Sequence, residues 1–245
     1  MTAVAQASAL STKLARLSED LGAIATEHAP AALSSSLAVE DMVITDAILR
    51  GGHAIEIFTL DTGRLHAETL AVLPRVRDRY GYEVRVYRPD AAAVNSYVDE
   101  FGLDAFYESI ELRQRCCHIR KVEPLKRALA GKTAWITGLR RAQAVTRSNV
   151  QELEFDPTQQ LWKFNPLADW SEEDVWEYVR AFDVPYNPLH DKGFRSIGCE
   201  PCTRAIGRDD DLRAGRWWWE DPERKECGLH PRTGKPLKPQ ERNVP

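Results

Sequence analysis

Residues 54–64, AIEIFTLDTGR, decide the fold. The first seven read as a strand, rich in Ile, Phe and Thr, and they run into a polar loop, Leu60-Asp61-Thr62-Gly63-Arg64, where Gly63 permits close backbone approach. Upstream, residues 40–50 carry a helical pattern stopped by Gly51-Gly52. Downstream, residues 65–80 predict a helix with an early Pro74, and EVRVYR at 83–88 predicts a strand of period two. Residues 91–101 and a long stretch over 104–129 read as helices, TAWITG at 133–138 as a buried strand, and SEEDVWEYVRAF at 171–182 as a helix opened by a capping box. At the other end, Leu14, Leu17, Leu21 and Ile24 place one apolar face on a helix over 11–28, followed after Pro30 by a short run of small residues, 31–36. Strands alternating with helices imply an α/β fold, a parallel-type sheet flanked by helices on both faces. Ligands of such sheets sit in the loops at the carboxyl ends of the strands.

The chain has 245 residues, 43% of them hydrophobic and 29% charged, with 33 Lys and Arg against 37 Asp and Glu. A formal net charge of −4 argues against a general nucleic-acid binder. The longest runs without a charged residue, 1–12 and 28–39, fall far short of the roughly 20 apolar residues that span a bilayer. The first charge is Lys13, so the basic start of a secretory signal is missing, and a soluble, cytoplasmic protein is expected. Past about Asn187 the patterning fades, and the chain ends in HPRTGKPLKPQERNVP. This suggests an α/β domain over 1–210 and a mobile C-terminal tail over 211–245.

Three predicted strand ends carry groups suited to an anionic nucleotide. Ser34-Ser35-Ser36-Leu37-Ala38-Val39-Glu40-Asp41 puts hydroxyls and backbone amides at the start of a helix, where the dipole favours an anion. Asp61, Thr62 and Gly63 form the second loop. Thr137-Gly138-Leu139-Arg140-Arg141, with Thr146-Arg147 beyond it, supplies cationic forks. Each alone is most simply a capped turn; three at successive strand ends favour a nucleotide site. No Gly-x-Gly-x-x-Gly and no Gly-Lys-Ser/Thr is present, so Rossmann and Walker loops are not supported.

Five cysteines, without an export signal, do not suit a disulfide framework. Cys116 and Cys117 are adjacent, Cys199 and Cys202 form Cys-x-x-Cys, and Cys227 stands alone. Adjacent helical residues point about 100° apart. They reach one small ion with strain, yet suit two corners of an iron–sulfur cube. Iron–sulfur is therefore favoured, with structural zinc and a redox dithiol as alternatives. Arg113, Arg115, Arg120, Lys121, Lys126 and Arg127 would offset thiolate charge, and Lys121, four residues after Cys117, falls on the same helical face. Cys227 is flanked by Arg224, Lys225 and Glu226, as suits an exposed nucleophile. Arg213 and Arg216, three apart, could fork onto a phosphosulfate, and the Trp217-Trp218-Trp219 run reads as packing.

Taken together, SSSLAVEDMV, LDTGRLHAET, CCHIRKVEPL, WITGLRRAQAVTR, GCEPCTRAIG, RAGRWWWE and KECGLH, in that order from Ser34 to His230, resemble the assimilatory adenylylsulfate (APS) reductases of the PAPS/APS reductase family. The resemblance implies an adenine-nucleotide α-hydrolase-like fold with a modified pyrophosphate loop. It also implies reduction of APS to sulfite and AMP in sulfate assimilation, through an enzyme Cys-S-sulfonate, with thioredoxin or a glutaredoxin-like reductant. It makes Cys116, Cys117, Cys199 and Cys202 ligands of a 4Fe-4S cluster and Cys227 the nucleophile. Ser34, Ser35, Ser36, Asp61, Thr62, Gly63, Lys121, Gly138, Arg140, Arg141, Arg147, Arg213 and Arg216 are the expected substrate-binding residues. Leu37 stands where many relatives have glycine. Neither a nucleic-acid nor a membrane partner is expected, and self-association is left open. The rivals are a PAPS or bifunctional reductase, an ATP-dependent tRNA-thiolating enzyme, which would want a Ser-Gly-Gly loop, and a zinc-stabilised nucleotide-binding module.

Overall fold

The structure, a computed structural model, describes residues 3–221, 225, 228 and 229. Helix α1 (Ala3–Glu27) leads into β1 (Ala31–Ser34), α2 (Val39–Gly51) and β2 (Ile55–Leu60). Two short helices, α3 (Ala67–Leu70) and α4 (Val72–Tyr80), precede β3 (Arg85–Tyr87) and α5 (Ala91–Phe101). Then come α6 (Ile110–Cys117), α7 (Glu123–Leu129), β4 (Ala134–Ile136), the hairpin β5 (Leu153–Asp156) and β6 (Leu161–Phe164), and α8 (Glu172–Phe182).

The six strands lie in the order β3-β2-β1-β4-β6-β5. All neighbours are parallel except β5 and β6. Period-two burial divides the sheet's two faces. Leu33, Ile57 and Ile136 face a core built with α1, α2, α4 and α8, through Leu21, Met42, Val76 and Val179. Ala32, Phe58 and Trp135 face the other way, onto Leu125, Ala128 and Leu129 of α7. The strand order reverses between β1 and β4, which opens a crevice at their carboxyl ends.

The α/β reading holds, with four local corrections. The helix expected over 65–80 is two, because Pro74 offers no N–H to the Leu70 carbonyl and the chain breaks at Ala71. The strand expected over 83–88 pairs only at Arg85–Tyr87. The segment 104–129 is a 3-10 turn (Ala105–Tyr107), α6, a π turn (His118–Val122) and α7. The β5–β6 hairpin, with its antiparallel edge strand, was not anticipated; its signal is the alternation of LEFD and LWKF about Asp156-Pro157. Among the described residues no helix is long and apolar enough to cross a membrane.

Candidate functional site

A cleft opens at the carboxyl ends of β1 and β4. Of the residues expected there, Ser34, Ser35, Ser36, Thr62, Lys121, Gly138, Arg147, Arg213 and Arg216 line it. The first loop is built differently from expectation. The amides of residues 35–39 are already used within the protein. Ser35 N–H donates to Phe58 O (2.8 Å), Ser36 N–H to Asp41 Oδ2 (2.7 Å) and Leu37 N–H to Ser35 Oγ (3.2 Å). Ala38 N–H donates to Ser36 Oγ (3.4 Å) and Val39 N–H to His190 Nε2 (3.2 Å). The other oxygen of Asp41 accepts the Gly138 N–H at 3.0 Å, so this carboxylate joins the first loop to the third. A side chain at Gly138 would collide with that carboxylate. Burial pushes the Asp41 carboxyl up to about 6. Leu37 has φ +61°, the left-handed region where glycine costs least, and is held there by a side chain 1% exposed in the main core. Trp135 donates its indole N–H to Ser34 Oγ at 2.7 Å, so that hydroxyl's own proton is directed elsewhere.

Four expected residues lie outside the cleft lining. Arg140 is buried and forks onto Glu40 (2.8 and 3.1 Å) and the Trp170 carbonyl, so it ties the end of β4 to the start of α2. Burial favours a neutral Glu40, but Arg140 beside it holds the carboxyl below the usual range. Arg141 pairs at the surface with Asp169. Asp61 accepts Gly63 N–H and Arg88 Nε, both at 3.0 Å, and so shapes its own loop. Gly63 supplies that turn its φ of +70°.

The four paired cysteines share one apolar patch. Cys117, Cys199 and Cys202 pack with Phe106 and Trp217, and Cys116 packs against them. They come from two directions. A π turn follows Cys117, and Arg120 and Lys121 within it are both buried. The Cys-x-x-Cys turn is clamped by the chain on both sides: Glu200 N–H donates to Arg64 O (2.8 Å), and Trp217 N–H to Cys202 O (3.1 Å). Gly198 is required because a side chain there would strike the Arg216 guanidinium.

Thr62 joins cleft to patch. Its hydroxyl lies 3.3 Å from Cys199 Sγ, and its carbonyl accepts Arg120 Nη1 at 2.8 Å. Burial alone would raise the Cys199 thiol; Lys121, Thr62, Arg216 and Arg120 overcome it and hold that thiol below its ordinary range. Cys202 is pushed up to about 11 by burial and by Cys199, and burial also raises Cys116. Among the described residues no group of three or more His, Cys, Asp or Glu side chains is placed to hold a metal ion.

Trp217, 1% exposed and left-handed at φ +39°, organises the arginines. The guanidinium carbons of Arg113 and Arg216 each lie 4.6 Å from its ring centroid, and that of Arg213 5.9 Å. Arg113, fully buried, forks onto Glu220. The described start of the segment assigned to the tail is thus packed on the body. Cys227 lies outside the described residues.

Sequence reasoning missed Glu40, Asp41, Gln143, Arg195 and Trp135 in the lining. Glu40 and Asp41 stood in the quoted loop, where acids at a helix start read as ordinary dipole partners. Trp135 looked like strand core, and Gln143 and Arg195 carried no signal.

Sheet order, switch-point cleft and helices on both faces define a doubly wound α/β domain. Phosphoadenylyl-sulfate reductase from Candida auris, in its phosphate complex, shares the fold with a TM-score of 0.64 at 24% identity, over 77% of this chain and 90% of that one. An FMN adenylyltransferase from Candida glabrata gives 0.53 at 12% identity, over 85% and 73%. Residues 30–205 match the phosphoadenosine phosphosulfate reductase domain, and the chain belongs to that family. Among its relatives, the adenosine 5'-phosphosulfate reductase of Burkholderia cepacia is 58% identical over 236 residues, 96% of this chain and 94% of the relative. That of Allochromatium vinosum is 52% identical over 230 residues, 94% of this chain and 90% of the relative.

Proposed function

We propose that this chain reduces adenosine 5'-phosphosulfate to sulfite and AMP in assimilatory sulfate reduction, with a thioredoxin or glutaredoxin-like dithiol as electron donor. The observation that carries this reading is the junction at Thr62 and Gly198, where a cleft bearing Lys121, Arg147, Arg213 and Arg216 abuts four paired cysteines. The names of the relatives support the same substrate.

Lys121, Arg147, Arg213 and Arg216 bind the phosphosulfate and stabilise the charge that develops on AMP as the S–O bond breaks. The Cys227 thiolate attacks the sulfate sulfur, forming Cys–S–SO3⁻ and releasing AMP. A thiolate of the reductant then attacks Cys227 Sγ and expels sulfite, leaving a mixed disulfide. The reductant's second thiol resolves it, so the dithiol gives both electrons and Cys227 returns to the thiol.

Cys116, Cys117, Cys199 and Cys202 fit a 4Fe-4S cluster: all four share one apolar patch, with Lys121, Arg120 and Arg216 at hand to offset thiolate charge. When bound, the cluster supplies fixed charge and a tie between the two cysteine-bearing segments. Lys121 reaches both cleft and patch and couples them.

The test is the intact mass of anaerobically purified protein after mixing with APS, and separately with PAPS, without reductant. Gain of one SO3 group at Cys227 with APS alone is expected. Gain with both would make the enzyme bifunctional, and no gain with either, from protein carrying its full iron, would remove the covalent route. Cys227→Ser should abolish the adduct and keep the iron.

A further inference from the structure

The chain around the lone thiol touches the body at three described points. Arg213 Nη2 donates to the Lys225 carbonyl at 2.6 Å, and the Lys225 ammonium reaches back to the Ala214 carbonyl at 3.5 Å. Lys225 is buried in that contact. Gly228, left-handed at φ +81°, passes Val122, the residue after Lys121. Leu229 then enters the cleft, half-buried, and packs against the apolar cluster that includes Leu125 and Trp135.

We infer that Leu229 is a positioning residue for the reaction: its side chain seats the chain beside the lone thiol on the apolar wall of the cleft, with Arg213 holding the same stretch at Lys225. The inference rests on the reading of Cys227 as nucleophile, since Cys227 is covalently tethered between these two holds. A side chain of Leu shape matches an apolar seat. Arg213 serves both sides, because it lines the cleft and holds the tail backbone. Seating of Lys225 and binding of the anionic group therefore use the same guanidinium. Two holds flanking one reactive residue fix its position more tightly than either alone, and attack geometry is sensitive to displacements near 1 Å.

The experiment follows S-sulfonation of Cys227 by rapid-quench intact mass, using iron-loaded enzyme, saturating APS and no reductant, with AMP affinity measured separately. Leu229→Ala is expected to slow adduct formation by about tenfold or more, with AMP affinity and iron content changed less than about twofold. Leu229→Met, which keeps length and apolar character, should restore most of the rate. A general loss of structure would lower iron and AMP affinity along with the rate, and Met would not rescue it selectively. Adduct formation at the unmodified rate in Leu229→Ala overturns the inference. So does markedly tighter AMP binding in that variant, which would make Leu229 an occupant of the nucleotide's own place. Should Leu229→Ala lose its iron, Leu229→Val is read the same way: a slower adduct at unchanged AMP affinity supports the seat, and an unchanged rate overturns it. Failure of the unmodified enzyme to form any adduct overturns the reading of Cys227 itself, and the inference with it.

Discussion

The Thr62 hydroxyl stands 3.3 Å from the Cys199 sulfur, and this pair joins the loop after β2 to the Cys-x-x-Cys turn. The hydroxyl favours the thiolate, against the cost of burial. Thr62→Val keeps the shape and removes the bond, worth about 1 kcal/mol, or roughly fivefold in an equilibrium. With the proposed 4Fe-4S cluster bound, iron should leave the variant about fivefold faster under chelator challenge, read from absorbance and iron content. Iron loss at the unmodified rate would remove Thr62 from the support of that proposed cluster.

Arg140 and Arg141 are neighbours with different work. Arg140→Met strands Glu40 in the interior and should destabilise the fold by about 3–5 kcal/mol, since one member of a buried pair is left uncompensated. Arg141→Ala breaks a surface pair with Asp169 and should cost no more than about 1 kcal/mol. Denaturant midpoints of the two variants decide it; equal midpoints would contradict these assignments.

Arg113 and Glu220 hold the turn bearing Arg213 and Arg216 from beneath. Arg113→Met alone should cost about 3–5 kcal/mol and weaken AMP binding, whereas Arg113→Met with Glu220→Leu should recover most of the stability. A double variant no more stable than the single would show that the pair's value lies in its charge. Thermal unfolding and AMP titration measure both.

Asp41 gives a pH dependence of definite sign. Its carboxyl is raised by burial from the ordinary 3.8 to about 6, so between those values the folded protein holds a proton that the unfolded chain does not. Stability from this group is therefore present at low pH and lost as pH rises to about 6, by roughly 3 kcal/mol in all. Asp41→Asn should remove that slope. Urea midpoints of both proteins from pH 4 to 7 test it, and parallel curves would refute it.

The helices and strands nearest the cleft were legible because their signals are local. Gly52 closes α2 in the left-handed region, and Ser171 and Asp174 cap α8 reciprocally. Thr62, Gly138, Lys121 and the cysteine pairs announced themselves by residue type at strand ends or by spacing. What stayed hidden depends on tertiary partners. That Arg140 serves Glu40 while Arg147 lines the cleft is settled by which side of the β4 loop each faces. The Ser36–Asp41 contact, which ties one loop amide and its hydroxyl to an internal carboxylate, is invisible in a string of residues that equally suits an anion site. The β5–β6 hairpin was missed because Trp162 and Leu153 leave its alternation half exposed.

The π turn at His118–Val122 acts as a phase adjuster in a single long rod. Helices α6 and α7 are continuous through it, and the wider turn takes up about one residue more than an α turn. A one-residue deletion in α7 would turn Cys116 and Cys117 by about 100° against the residues that follow, and so away from the wall they share with Cys199 and Cys202. The same deletion within 118–122 trades the wide turn for an α turn and keeps the flanking faces in phase, so this stretch tolerates a change of length that the helices on either side of it do not.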